Sequence, residues 1–203
     1  MGINSINHRD EALLCQLHNS VTGLSPLLCH NPSSMIVDAA IKIKNKKIYD
    51  SKEEAEAGTY KDQKGHYIFP AMAFRSSLLE GLKGKKINKM SASNFISACV
   101  SIDNSKEFVD LCEPDNDKRL TSYTVDVRRV VIQRSGIMRS RPRFEKWGCI
   151  LSLQLDVDSI TSKLIEENLN NSGIMIGVGD FRPSKRGMFG KFKAELIGEI
   201  SEY

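Results

Sequence analysis

The chain has 203 residues, of which 40% are hydrophobic and 27% are charged, with a formal net charge of +4. This composition is typical of a soluble globular protein with one domain, or one domain with a large insertion. No apolar run approaches the roughly 20 residues that a membrane helix needs, and the N-terminus lacks the apolar stretch of a secretory signal. We therefore expect a cytoplasmic protein with no membrane partner.

The five cysteines are widely spaced, and none of them forms a CxxC pair. The four histidines are scattered, without an HExxH or His-x-His cluster. Neither a zinc site nor a disulfide framework is indicated, and the cysteines are expected to be reduced and mostly in the core. The sequence predicts no metal and no cofactor.

In chain order, alternation at Leu17, Asn19 and Val21 predicts a first strand. Residues from about 33 to 60 form a predicted surface insertion, with a basic block followed by an acidic one. Within it, Ser51 with a glutamate three residues later is the capping-box pattern of a short helix.

The next segment predicts a strand at 66–69 and an amphipathic helix at 71–83, whose apolar residues recur every three or four positions. Residues 95–102 predict another strand. A second insertion, at about 103–123, is polar and is expected to be a loop.

In the second half, residues 124–133 are rich in valine and predict a strand, and 147–157 predict another. Between them lies an extended basic arm at about 128–147. A helix is predicted from Asp158 to about residue 172, and a last strand at 189–200.

The predicted fold class is α+β, with an antiparallel sheet packed on helices. A β-α-β-β-α-β core of the RRM or ferredoxin-like kind fits the order of the elements. The prediction is one such domain over residues 1–203, with the two insertions and a long basic β-hairpin arm.

The arm concentrates positive charge. Seven basic residues and one acid fall within 127–147, so this segment carries +6 and the remainder of the chain is close to neutral. Arg139, Arg141 and Arg143 are two positions apart, which places them on one side of an extended segment. Arginine binds phosphates bidentately and stacks on bases, so this pattern favours a single-stranded nucleic acid. The alternatives are a solvated charged hairpin and an arm that binds an acidic protein surface.

A glycine-rich loop near the C-terminus repeats the basic theme. Its glycines can let the backbone approach phosphates closely, and three basic residues accompany them. These residues are Gly177, Gly179, Gly187 and Gly190, with Arg182, Lys185 and Arg186. The loop matches neither a Rossmann nor a Walker pattern, and a flexible hairpin between two strands is the alternative. We expect the arm and this loop to face one nucleic-acid groove.

Catalytic patterns are weak. Asp38, the acidic run at 53–56, Asp115 and Asp117 are isolated carboxylates, and no serine lies in a GxSxG context. No catalytic residue is therefore predicted.

Three segments resemble elements of the RAMP superfamily, the RRM-derived backbone subunits of CRISPR effector complexes. Residues 67–80, YIFPAMAFRSSLLE, resemble their strand–proline–helix element, and GVGDFRP at 177–183 resembles their glycine-rich loop. The arm lies where such subunits carry a thumb. The arrangement also resembles small phage proteins with a GxGDxRP signature.

This resemblance implies a modified RRM that polymerises along a single strand, RNA or DNA, with RNA slightly preferred. Its partners would be the strand, copies of itself and other effector-complex subunits. The expected backbone contacts are Arg128, Arg134, Arg139, Arg141, Arg143, Arg182, Lys185 and Arg186, with Phe144 and Phe189 stacking on bases.

The leading hypothesis is thus a non-enzymatic protein that binds single-stranded nucleic acid and oligomerises. One alternative is an assembly protein whose arm grips a neighbouring subunit without nucleic acid. Another is a nuclease that uses Asp38, the weak counterpart of a loop aspartate with which some members of the family cut RNA.

Overall fold

The computed structural model describes residues 14–32, 50–87, 89–116, 118–132, 135–156 and 158–201. Within them the chain forms four α-helices and antiparallel sheets, a mixed architecture that agrees with the predicted α+β class. The helices are α1 (Ser51–Ala57), α2 (Met72–Gly81), α3 (Ala92–Cys99) and α4 (Ser162–Met175). The longer strands are β1 (Leu14–Gly23), β8 (Thr124–Ile132), β9 (Ser135–Phe144), β10 (Gly148–Asp156) and β11 (Phe192–Ser201). The shorter ones are β2 (Leu27–Leu28), β3 (Ile68–Pro70), β4 (Lys86–Ile87), β5 (Met90–Ser91), β6 (Val100–Ile102) and β7 (Phe108–Asp110).

A four-stranded antiparallel sheet in the order β11-β1-β10-β6 is the centre of the fold. Cross-strand pairs alternate between its two faces, as the pleat requires. Leu17 and Leu153 face each other and are buried, whereas the next pair, His18 and Ser152, lies on the opposite face. The apolar side packs with α2 and α4 into the core, which also contains Phe74.

A second sheet, in the order β2-β9-β8, contains the long hairpin of the predicted arm. Helix α1 packs on β9. The segment that we call the arm thus consists of the paired strands β8 and β9, and β9 also contacts β2 and α1.

Strand β7 lies inside the segment for which the sequence predicts a polar loop. It pairs with β3, with Phe69 opposite Val109, and both side chains are buried. A single buried valine between exposed neighbours is too short an alternation to indicate a strand.

The predicted strand at 95–102 is wrong for most of its length, because α3 ends only at Cys99 and β6 follows it. Ala92 and Ile96, four residues apart, are the buried positions of α3. The segment predicted as a strand, FISACVSI, contains no charged residue, so its helical and extended periodicities could not be separated.

Two helix starts also differ from prediction. Asp50, not Ser51, caps α1, because its carboxylate accepts hydrogen bonds from the backbone N–H of Lys52 at 2.8 Å and of Glu53 at 3.2 Å. Helix α4 begins at Ser162 rather than near Asp158. Among the residues that the structure describes, no helix is both long enough and apolar enough to cross a membrane.

Candidate nucleic-acid interface

The arm and the glycine-rich loop are in direct contact through an aromatic ring. Phe189 lies beneath two guanidinium groups, that of Arg128 at 4.8 Å and that of Arg143 at 5.6 Å from the ring centroid. Cation–π contacts of this kind stabilise by about 0.5–2 kcal/mol each. The two basic segments therefore meet directly at this ring.

Arg141 makes a second connection between arm and loop. Its Nε donates to the Asp180 carboxylate at 2.5 Å, and its guanidinium lies 5.8 Å from the centroid of the Phe181 ring. The side chain is only 11% exposed, and its Nη1 is buried with no hydrogen-bond partner among the described residues. Burial, with a smaller effect of the Asp180 carboxylate, raises the pKa of the nearby Cys29 thiol. Arg141 is therefore largely inaccessible to a ligand, whereas its partners Asp180 and Phe181 are partly exposed.

Glu54 connects helix α1 to the arm through hydrogen bonds. Its carboxylate accepts from Arg139 Nη1 at 2.7 Å and from the backbone N–H of Ser140 at 2.8 Å. The side chains of Glu54 and Arg139 are each 18% exposed. A charge-assisted pair in such a partly buried place contributes more than a surface ion pair does.

Asp126 neutralises part of the charge at the base of the arm. It holds Arg128 in a bidentate contact, with Nε at 2.6 Å and Nη2 at 2.9 Å, and this hydrogen bonding raises the pKa of Arg128. Arg143 lies 3.8 Å from the same carboxylate and donates to Glu145 at 2.9 Å. These carboxylates restrain the arginine side chains and compete with any incoming phosphate.

The glycines of the loop approach the protein's own backbone. An added Cβ at each of them would contact or overlap backbone or side-chain atoms of the neighbouring turn or of β2, and this applies to Gly177, Gly179, Gly187 and Gly190. Around them, Val178 N–H donates to Gly190 O at 2.9 Å, and Asp180 N–H donates to Leu28 O at 2.9 Å. The predicted close approach exists, but it serves packing within the chain.

Four basic side chains remain exposed on the arm and the loop, and none of them has an ion-pair partner among the described residues. They are Arg129, Lys146, Lys185 and Arg186. Arg182 is more constrained, because it donates to Gly179 O and to Ser184 Oγ, each at 3.1 Å. The cations most available to a ligand are thus at the margins of the cluster.

The two predicted stacking rings are not accessible, which corrects their expected role. Phe144 is 2% exposed and packs edge-on against Tyr67 and Tyr123. Phe189 is 3% exposed beneath its two arginines. Trp147, at the end of the arm, is fully buried. Hydrophobic burial took precedence for all three rings.

Three residues considered above, Arg134, Asp38 and Asp117, lie outside the described residues, as does the part of the first predicted insertion at 33–49. The other predicted contacts, Arg128, Arg139, Arg141, Arg143, Arg182, Lys185 and Arg186, lie on the arm or on the loop as expected.

Sequence reasoning missed a polar cluster on the face of the central sheet opposite the helices. His18 Nδ1 lies 3.0 Å from Ser152 Oγ, to which Lys106 Nζ also donates at 3.2 Å. Nearby, Arg75, Met72 and Phe108 line an open cleft of about 500 Å³. Residues so far apart in sequence form no local motif that would have indicated either feature.

In the described part of the chain, no group of three or more His, Cys, Asp or Glu side chains is arranged to hold a metal ion. Comparison with protein-family models and with curated proteins finds no match.

Proposed function

We propose that this protein binds single-stranded nucleic acid, RNA or single-stranded DNA, without catalytic activity, and that copies assemble along the strand. The observation that carries the proposal is the direct packing of two basic segments, with Arg128 and Arg143 on the ring of Phe189. The two segments are far apart in sequence, and the fold brings them into contact. Their basic residues thereby come together on one surface, as the binding of a polyanion requires.

The proposal includes an RRM-like core. Its support is the strand order of the central sheet, in which the last strand, β11, lies beside the first, β1, and β10 separates β1 from β6. Helix α2 precedes β6 and α4 precedes β11, as in a β-α-β-β-α-β unit with insertions. Membership in the RAMP superfamily rests on the sequence resemblance alone.

The exposed cations make the first contacts with phosphates in this proposal, whereas Arg139 and Arg141 mainly maintain the shape of the surface. A test by substituting the paired arginines would confuse binding with folding, because their carboxylate partners would be left unpaired. Lys185 and Arg186, which are exposed within the glycine-rich loop between Gly179 and Gly187, are better targets.

The double substitution Lys185→Ala/Arg186→Ala is expected to weaken binding to a labelled single strand. Removing each phosphate contact should reduce the slope of log K against log salt by about 0.7, because fewer counterions are released. Fluorescence anisotropy over a salt series measures that slope. The matched control is Lys85→Ala/Lys86→Ala, another exposed adjacent pair, which should leave it unchanged.

Equal slopes for the two double variants would contradict the proposed surface.

An assembly protein without nucleic acid is the second candidate. The observation that favours it is the neutralisation of the arm's arginines by Asp126, Glu54 and Asp180, which lowers the charge available to phosphates. Absence of any shift of labelled RNA or DNA at low salt would select that candidate.

A further inference from the structure

Strand β8 has a free outer edge. It pairs with β9 on one side, and no hydrogen-bonding partner exists for its other side in the part of the chain that the structure describes. Unpaired edges act as templates for further strands, and proteins often protect them with lysine, proline or short length. The sequence of β8, TVDVRRVVI, contains neither lysine nor proline.

The edge formed by β11, a strand of comparable length, is covered. The backbone N–H of Ala194 donates to Asn170 Oδ1 at 2.9 Å, and that of Leu196 donates to Glu166 Oε1 at 3.0 Å. Both partners lie on α4, which thus shields this edge of the central sheet. The open edge of β8 lacks such protection among the described residues.

The hydrogen bonds of β9 determine which groups of β8 point outward. Ser140 N–H donates to Glu54, and Pro142 C=O accepts from Cys29 N–H at 3.1 Å, so both groups point away from β8. Their cross-strand partners, Val127 and Val125, therefore lie in pairs without mutual hydrogen bonds. It follows that the N–H and C=O groups of these two valines face the open edge. By alternation along the strand, the same groups of residues 129 and 131 face it as well.

Charge restricts how a second β8 fits this edge. In a two-fold antiparallel pairing centred on Val127, Asp126 lies opposite Arg128 of the other copy, on both sides of the axis. A two-fold pairing centred instead on Asp126, Arg128 or Arg129 would place that residue opposite its own copy. Like charges would then face each other at the axis, which is destabilising. Centres nearer the ends of β8 pair fewer residues.

We propose that two copies of this chain join through the outer edges of their β8 strands, as an antiparallel two-fold dimer centred on Val127. The contact is isologous, so it closes as a dimer and does not propagate. It covers Val125 and Val127, which are 36% and 43% exposed in one copy. The inference deepens the self-assembly part of the proposed function, and it requires no nucleic acid.

The test places single cysteines on β8 in nucleic-acid-free, full-length protein. Both variants carry Cys99→Ser, because the other four native cysteines are buried. In the proposed dimer, residue 127 faces its own copy with Cα atoms about 5.5 Å apart, within disulfide range. Residue 131 faces residue 123 and lies about 27 Å from its own copy, at ~3.4 Å per residue.

Under mild oxidation, Val127→Cys should form covalent dimers at least about tenfold faster than Val131→Cys on a non-reducing gel, since only residue 127 meets its own copy within disulfide range. Val131 is the more exposed of the two, at 69% against 43%, so random collision predicts the opposite order. Equal rates, or faster reaction at 131, would overturn the proposal.

Light scattering of the Cys99→Ser protein gives an independent result. A dimer is expected after nuclease treatment, and a monomer at every concentration tried would also overturn the inference. Either failure would leave the salt slope of strand binding unaffected, so the two proposals can fail separately.

Discussion

At the residue scale, the buried ring of Phe189 positions two arginine side chains of the candidate site. A buried ring under two guanidinium groups orders side chains that would otherwise repel each other, since aromatic faces attract cations. The sequence indicated that the two basic segments belong to one site, but it could not indicate that this ring lies beneath the arginines. The contact depends on the folding of two segments separated by β10 and α4.

Gly190 shows how tightly the loop is built. Its φ is +66°, and an added Cβ would overlap the carbonyl oxygen of Val178. We expect Gly190→Ala to lower the free energy of unfolding by about 2–5 kcal/mol, from backbone strain and overpacking together. Urea denaturation followed by circular dichroism measures the loss.

The matched control is Gly65→Ala. Gly65 has φ +84°, but no atom of the described residues lies within 4 Å of the added Cβ, so it reports backbone strain alone, about 1–3 kcal/mol. Equal losses at the two positions would mean that the loop relaxes around the new methyl group, contrary to the packing described above.

At the scale of elements, the long strands β8 and β10 and the helices α2 and α4 were predictable because their periodicity extends over enough residues. The attachment of the arm was not. Its partner Glu54 is a helix residue that the sequence assigned to a capping box, whereas in the structure it bonds to β9. Local patterns identify elements, but they do not reveal which long-range contact a charged side chain makes.

Glu54→Ala is therefore expected to destabilise the protein by about 1–3 kcal/mol, because Arg139 and the N–H of Ser140 lose a shared acceptor in a partly buried place. Thermal denaturation of purified variants measures the change. Glu167→Ala is the control, since Glu167 is an exposed helix residue without an ion pair in the described ranges. A loss no larger than that of the control would mean that α1 is held to the arm by apolar contacts alone.

At the scale of the whole molecule, most of the arm's positive charge is balanced locally, and the net charge is only +4. Long-range attraction of a polyanion therefore depends on the exposed cations at the margins of the cluster rather than on the summed charge. Sequence reasoning identified the two basic segments but overestimated the number of available arginines. Among the described residues, four carboxylates pair with the arm's arginines, and two of them, Glu54 and Asp180, come from distant parts of the chain.

The two proposals together predict the behaviour of the assembled protein. Purified protein that carries a strand should have a high ratio of absorbance at 260 nm to that at 280 nm, and it should appear as extended assemblies by electron microscopy. Digestion with either RNase or DNase, whichever matches the bound strand, should reduce these assemblies to dimers, because the β8 edge contact needs no nucleic acid. Extended assemblies that survive both nucleases would contradict assembly along a strand and favour protein contacts alone.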